Sequence, residues 1–234
     1  MLVRFFRGAV LALMLVPSAG RAQDFDAGLA AATAGDFATA FREWGPLAQQ
    51  GNAAAQSNLG LMYIRGEGVP QDYAEAAKWY QMAAEQGYAD AQANLGFLYE
   101  NGNGVPQDYA EALKWYRLAA KQGNADAQAN LGLMYDNGKG VPQNDAEAAK
   151  LYRLAAEQGF VRAQNNLGIL YAEGKGVPQD YVTAHMWYNL SAANGNELAL
   201  GNRDFIAKQM TPADLSEAQQ RAKVCLASGY QDCN

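Results

Sequence analysis

The chain has 234 residues, half of them apolar and 11% aromatic, with 18 Lys and Arg against 24 Asp and Glu. That composition can bury a core, which excludes an intrinsically disordered polymer. The acidic balance leaves no basic stripe able to displace counterions from nucleic acid or an anionic membrane.

Residues 1–22 read as a signal peptide. Arg4 and Arg7 form a basic start, Ala9 to Val16 a short apolar run, and Gly20 and Ala22 occupy the third and first positions before a cut. The run is too short to span a bilayer, and no Cys follows it to carry a lipid. Cleavage after Ala22 leaves 15 basic against 24 acidic side chains, a net charge of −9. The expectation is an exported protein with no direct membrane insertion after cleavage, in the periplasm or secreted.

Residues 23–50 contain "GDFATAFREWGPLAQQG", a helical segment after a shorter one, "FDAGLAAAT". From there the sequence repeats. Gly51, Gly87, Gly123, Gly159 and Gly195 are spaced by 36 residues, which bounds four units at 51–86, 87–122, 123–158 and 159–194. Each unit reads as two helices. In the first unit Ala55, Leu59, Met62 and Tyr63 form one apolar stripe, and Tyr73, Ala76, Ala77, Tyr80 and Ala84 a second. Asp72, Asp108 and Asn144 each stand three residues before a Glu (Glu75, Glu111, Glu147), which predicts capping boxes. The spaced glycines then stop each second helix. Residues 23–50 align with a second helix, Asp36 matching Asp72 and Gly51 matching Gly87, and are expected to form a degenerate capping repeat.

Between the two helices lies "GEGVPQDY", returning as "GNGVPQDY", "GKGVPQND" and "GKGVPQDY". A phosphate-binding loop places its glycines directly before a helix, usually after a strand. Here a helix precedes the loop, and Pro and Gln separate the glycines from the next cap. The loop therefore reads as a tight turn, with Val69 and its copies tucked into the core. Gly60, Gly96, Gly132 and Gly168 lie inside the first helices at a cost of about 1 kcal/mol each against Ala. They predict a close helix crossing, with Ala76 and its copies as the opposing surface.

Residues 195–234 depart from the pattern. Thr211, Pro212 and Asp214 mark a helix start. Cys225 and Cys233, the only cysteines, read as a disulfide in an exported chain. Two helices closed by this loop are expected to form a polar C-terminal lid.

The motifs A-x-x-N-L-G-x-x-Y, G-x-G-V-x-x-D-x-x-x-A and W-Y-x-x-A-A-x-x-G resemble the Sel-one-like repeat, a relative of the tetratricopeptide repeat. Asp145, Leu151 and Thr183 depart from its pattern. The resemblance implies an all-α fold, a right-handed α-solenoid of antiparallel helix pairs, and a concave groove lined by the first helix of each unit. That face would carry Ala54, Ser57, Leu61 and Arg65; Asp90, Phe97, Glu100 and Asn101; Asp126, Leu133, Asp136 and Asn137; and Arg162, Asn165, Ile169 and Glu173. Its centre is acidic through Asp90, Glu100, Asp126 and Asp136, and Arg65 and Arg162 stand towards its ends. Asn58, Asn94, Asn130 and Asn166 form a ladder, which either bonds a bound peptide or bonds the backbone of the neighbouring unit.

Catalysis needs a nucleophile, a base and an orienting group within reach. The single His185 sits at helical core spacing, the serines show no nucleophile elbow, and no metal-ligand spacing occurs. No cofactor, metal or catalytic residue is expected. Cysteine-rich relatives imply a cell-wall or β-lactam hydrolase as an alternative, but the repeats here carry no Cys. The expected function is a non-catalytic module binding a protein or peptide in the cell envelope, as a monomer. A secreted factor that binds a host protein is the other alternative.

Overall fold

The computed structural model describes residues 24–233. The signal peptide read at residues 1–22 lies outside them. The described residues form twelve helices and no strand: α1 (Phe25–Thr33), α2 (Phe37–Gln49), α3 (Ala53–Arg65), α4 (Tyr73–Glu85), α5 (Ala89–Asn101), α6 (Tyr109–Lys121), α7 (Ala125–Asn137), α8 (Asp145–Ala156), α9 (Val161–Glu173), α10 (Tyr181–Ala193), α11 (Glu197–Ala207) and α12 (Pro212–Ala227). Each helix from α1 to α10 packs against the next, giving an all-α solenoid of stacked helix pairs.

The caps follow the sequence closely. Asp72 accepts from the backbone N–H of Ala74 and Glu75, Asp108 from Ala110 and Glu111, and Asn144 from Glu147. The three glutamates do not reach back, so the capping boxes do not form there. Each turns instead to the lysine one turn on: Glu75 to Lys78, Glu111 to Lys114 at 3.0 Å, and Glu147 to Lys150 at 3.4 Å. Among the described residues, a complete capping box forms only at the start of α12, between Thr211 and Asp214.

The copied loop joins one unit to the one before it. Its first glycine ends the first helix in the left-handed conformation, as at Gly102 (φ 69°). Its second glycine lies on the first turn of the preceding unit's second helix. A Cβ on Gly104 would stand 2.2 Å from the backbone carbon of Tyr73. The valines pack as expected: Val69 against the cluster around Trp44, and Val105 against the one around Tyr80.

The close crossing inside each unit is also present, but its opposing surface is an aromatic ring, not Ala76. A Cβ on Gly60, Gly96, Gly132 or Gly168 would meet Tyr80, Tyr116, Tyr152 or Tyr188 at 2.7 to 2.9 Å. The missing side chain makes room for a buried ring.

Units are further tied by glutamines. Gln92 donates to the Ala84 carbonyl of the preceding unit at 3.0 Å and accepts from Gln122 at 2.7 Å. Gln56 with Gln86, and Gln128 with Gln158, repeat the arrangement. It stops at Gln164, whose carbonyl oxygen is buried without a partner. The residue that would donate is Asn194, one methylene shorter, which bonds Leu190 and Tyr230 instead. An orphaned buried acceptor costs about 1–3 kcal/mol.

The C-terminal end is built differently from a polar lid. α11 stacks on α10 like another first helix, but Arg203 and Asp204 stand where α3 has Leu59 and Gly60. Those two positions would face a second helix, so the array cannot continue through them. α12 packs instead across the outer face of α10. There Met186 replaces the lysine of earlier units, and Leu190, at a position that is also leucine at 118 and 154, is 2% exposed where Leu118 is 43%. Cys225 and Cys233 are bonded to each other and belong to the apolar cluster of Trp187, Leu190 and Tyr152. Replacing both with Ala is expected to lower the unfolding free energy by about 2–3 kcal/mol, the chain-entropy value for so short a loop. Urea unfolding monitored by helical circular dichroism measures this; an unchanged midpoint would show that the bond does not hold α12 in place.

Candidate partner-binding groove

The first helices line the inner face. α5 approaches α7, and α9 approaches α11, more closely than successive second helices approach one another, so the second helices splay on the outside. Two rows cross this inner face. Leu61, Phe97, Leu133 and Ile169 form an apolar row, and Asn58, Asn94, Asn130 and Asn166 lie one turn earlier on the same face. Both rows run on into α11, through Phe205 and Asn202, each 36 residues further. The apolar row also extends back to Leu29 in α1, 32 residues before Leu61, because the α1–α2 connection lacks the long loop. Leu29, Phe97 and Phe205 are 50%, 47% and 66% exposed. Leu29, Asn202 and Phe205 were not found from sequence. Continuing the 36-residue period past Gly195, in "GNRDF", would have found the last two.

Of the residues expected on this face, Asp90, Asn94, Phe97, Asp126 and Arg162 are exposed on it, and Asn58 is half-buried. Arg65 is exposed and pairs with Glu67 at 3.7 Å. Asp90 accepts from Asn124 at 2.8 Å. The guanidinium of Arg162 lies over the ring of Phe160, 5.4 Å from its centroid.

Glu100 is a correction. It is only 9% exposed, accepts from the Tyr116 hydroxyl at 3.0 Å, and has Lys139 at 3.6 Å. Burial, then the Glu100 charge, push the Tyr116 hydroxyl well above its ordinary pKa. Asp136 is half-buried and accepts from Tyr152 at 3.2 Å, with burial raising its own pKa. Both carboxylates therefore serve the fold, because the preceding glycine brings a tyrosine hydroxyl to their helix. The acidic centre of the groove reduces to Asp90 and Asp126.

The asparagine ladder is divided. Asn130 and Asn166 act to lower the pKa of the Tyr116 and Tyr152 hydroxyls, against the larger effect of burial. Asn166 accepts from Asn165 at 3.4 Å. Asn94 remains exposed. His185 is buried in α10, where burial foremost, then Arg203, lower its pKa, so the ring stays neutral and packs.

Two of the shallow pockets on the inner face hold its charged residues Asp90, Asp126 and Arg162. One, between α3, α5 and α7, holds Ser57, Asn58, Asp90, Asn94 and Asp126. The other, between α7, α9 and α11, holds Asn130, Leu133, Arg162, Asn165 and Asn166. Among the described residues, no group of His, Cys, Asp and Glu is placed to hold a metal ion. No described helix is long and apolar enough to cross a membrane.

The Sel1 repeat family model matches residues 53–88, 89–124, 125–160 and 161–196. The chain belongs to the Sel1 repeat family. A protective antigen of uropathogenic Escherichia coli displaying an SLR fold is 36% identical, with a TM-score of 0.74 over 85% of this chain and 45% of its own. A Sel1 repeat protein from Oxalobacter formigenes is 40% identical, with a TM-score of 0.67 over 73% of this chain and 49% of its own. The chain thus spans a little under half the length of either. An immunity protein from Pseudomonas aeruginosa, 20% identical, shares the fold, with a TM-score of 0.52 over 88% of this chain and 80% of its own. No curated protein matches the chain. Sel1 repeat proteins are generally protein-interaction scaffolds, and the solenoid is typically non-catalytic.

Proposed function

We propose that this Sel1 repeat protein is an exported, non-catalytic interaction module of the cell envelope that binds a protein or peptide segment along its concave groove. One observation carries the reading: an apolar row crosses six successive first helices, from Leu29 to Phe205, and although Leu133 and Ile169 pack at the edge of the core, Leu29, Leu61, Phe97 and Phe205 belong to none of its clusters. Constant apolar positions such as Leu59, Leu95 and Leu131 already make the interfaces between helices. Phe97 and Phe205 of the second row stand in solvent at 47% and 66% exposure. The buried disulfide supports an oxidising compartment, as does the sequence of residues 1–22. The protein acts as a monomer in this reading.

The test places a photo-crosslinking amino acid at Phe97 on the inner face or at Leu118 on the outer face, in the producing cell. Covalent adducts are expected from Phe97 and not from Leu118, in the periplasmic or secreted fraction, on a chain whose first residue follows Ala22. Adducts from Leu118 alone would move the binding surface to the second helices, and a cytoplasmic chain beginning at Met1 would remove the envelope from the proposal.

A further inference from the structure

The two pockets of the groove carry opposite charge. Asp90 and Asp126 stand in the first, with no cation in its lining. Arg162 stands in the second, with no carboxylate in its lining. Among the described residues, no ion pair takes Asp90, Asp126 or Arg162. The floor differs in the same places. The floor position reads Ser57, Ala93, Ala129 and Asn165 in successive first helices, so a polar side chain lies under each pocket and alanine lies between. Ser57 is 6% exposed and lines the first pocket. Phe97 and Leu133 bridge the two pockets as apolar ground.

We infer that the groove takes an extended peptide segment in one direction only: a Lys or Arg side chain between Asp90 and Asp126, an apolar stretch on Phe97 and Leu133, and a carboxylate on Arg162. This rests on the groove reading above and specifies its ligand. Asp90, Asp126 and Arg162 stand at the same position of α5, α7 and α9, so a cation between the two aspartates lies one and a half helix spacings from Arg162. Packed helices lie about 8–10 Å apart, so the span is roughly 12–15 Å. An extended chain advances about 3.3 Å per residue, which places the carboxylate about four residues from the cation. The reversed segment would set its carboxylate against two aspartates and its cation against Arg162, so charge repulsion selects the direction. The carboxylate comes from an Asp or Glu side chain or from a chain terminus, since both present the same two oxygens to a guanidinium.

The experiment selects binders from a random dodecapeptide library on the full chain with its disulfide intact. The winners are then synthesised with free or amidated C-termini. Their affinities are measured against wild type, Asp90→Asn/Asp126→Asn, Arg162→Gln and Phe97→Ser, each first checked for an unchanged melting point. Winners are expected to carry a cation and a carboxylate in one order at the stated spacing. The double aspartate variant and Arg162→Gln should each weaken them at least tenfold, and added salt should weaken the wild-type interaction as exposed charges are screened. Loss of binding on amidation assigns the carboxylate to the chain terminus, and retention assigns it to a side chain. Winners that fail on Phe97→Ser but ignore both charge variants overturn the polar direction and leave the groove standing. Winners indifferent to Phe97→Ser, or a library that yields none, overturn both.

Discussion

Gly104→Ala is expected to destabilise the protein by about 2–5 kcal/mol, although it adds a single methyl group to an exposed loop. Two costs combine. The residue sits at φ 71°, where an L side chain is strained by about 1–2 kcal/mol. The added Cβ would also stand 2.2 to 2.5 Å from the carbonyl carbon and oxygen of Tyr73 and the nitrogen of Ala74. Those are backbone atoms of the first turn of α4, held by the Asp72 cap, so no rotamer can relieve the contact and α4 must move away from the loop. Overpacking of this kind costs about 1–3 kcal/mol and occasionally more. Gly87→Ala is the control. Gly87 is at φ 87° with open space around its Cβ position, so it carries only the conformational cost of about 1–2 kcal/mol. Urea unfolding of the two variants separates the effects. Equal losses would mean that the loop does not clamp one unit to the next.

Gly96→Leu should cost at least about 3 kcal/mol and splay one unit open. Its Cβ alone would meet the Tyr116 ring at 2.8 Å. That ring is fully buried and its hydroxyl donates to Glu100, so it cannot swing aside without costing a buried carboxylate a hydrogen bond. Gly96→Ala makes the same first clash but regains about 1 kcal/mol of helix propensity, so its net loss should be near 1 kcal/mol. A shallow Ala-to-Leu gradient in denaturant midpoint would show that the crossing is looser than the structure has it. Because a solenoid is stabilised unit by unit, the loss should appear as early melting around α5 and α6, visible in hydrogen exchange, with α9 to α12 retained.

Much of this molecule is legible in the sequence because a repeat states each rule four times. Gly51 and its copies set the period, Asp72 and its copies set the caps, and "GEGVPQ" could be recognised as a turn because a helix comes before it. The glycine inside each first helix announced a close crossing. It could not name Tyr80 as the neighbour, since both Ala76 and Tyr80 lie on the buried stripe of the second helix and only the crossing geometry chooses between them. The groove residues were read less well. Glu100 and Asp136 look like variable surface positions, and nothing local says that a tyrosine hydroxyl 16 residues later needs them.

The sequence by itself determined the helix pairs, their N-caps and their order, because these depend on spacings of 3, 4 and 36 residues along one chain. The tertiary structure decided what depends on distance between units. It withdrew Glu100 from the groove, carried the apolar row into α1 and α11, and laid α12 across α10 with the disulfide inside the core. The last of these was written only as a change from Lys to Met at position 186 and a leucine at 190, which a periodic reading counts as noise. Burial made it a docking site, because two apolar side chains side by side on an outer face gain more from a covering helix than from water.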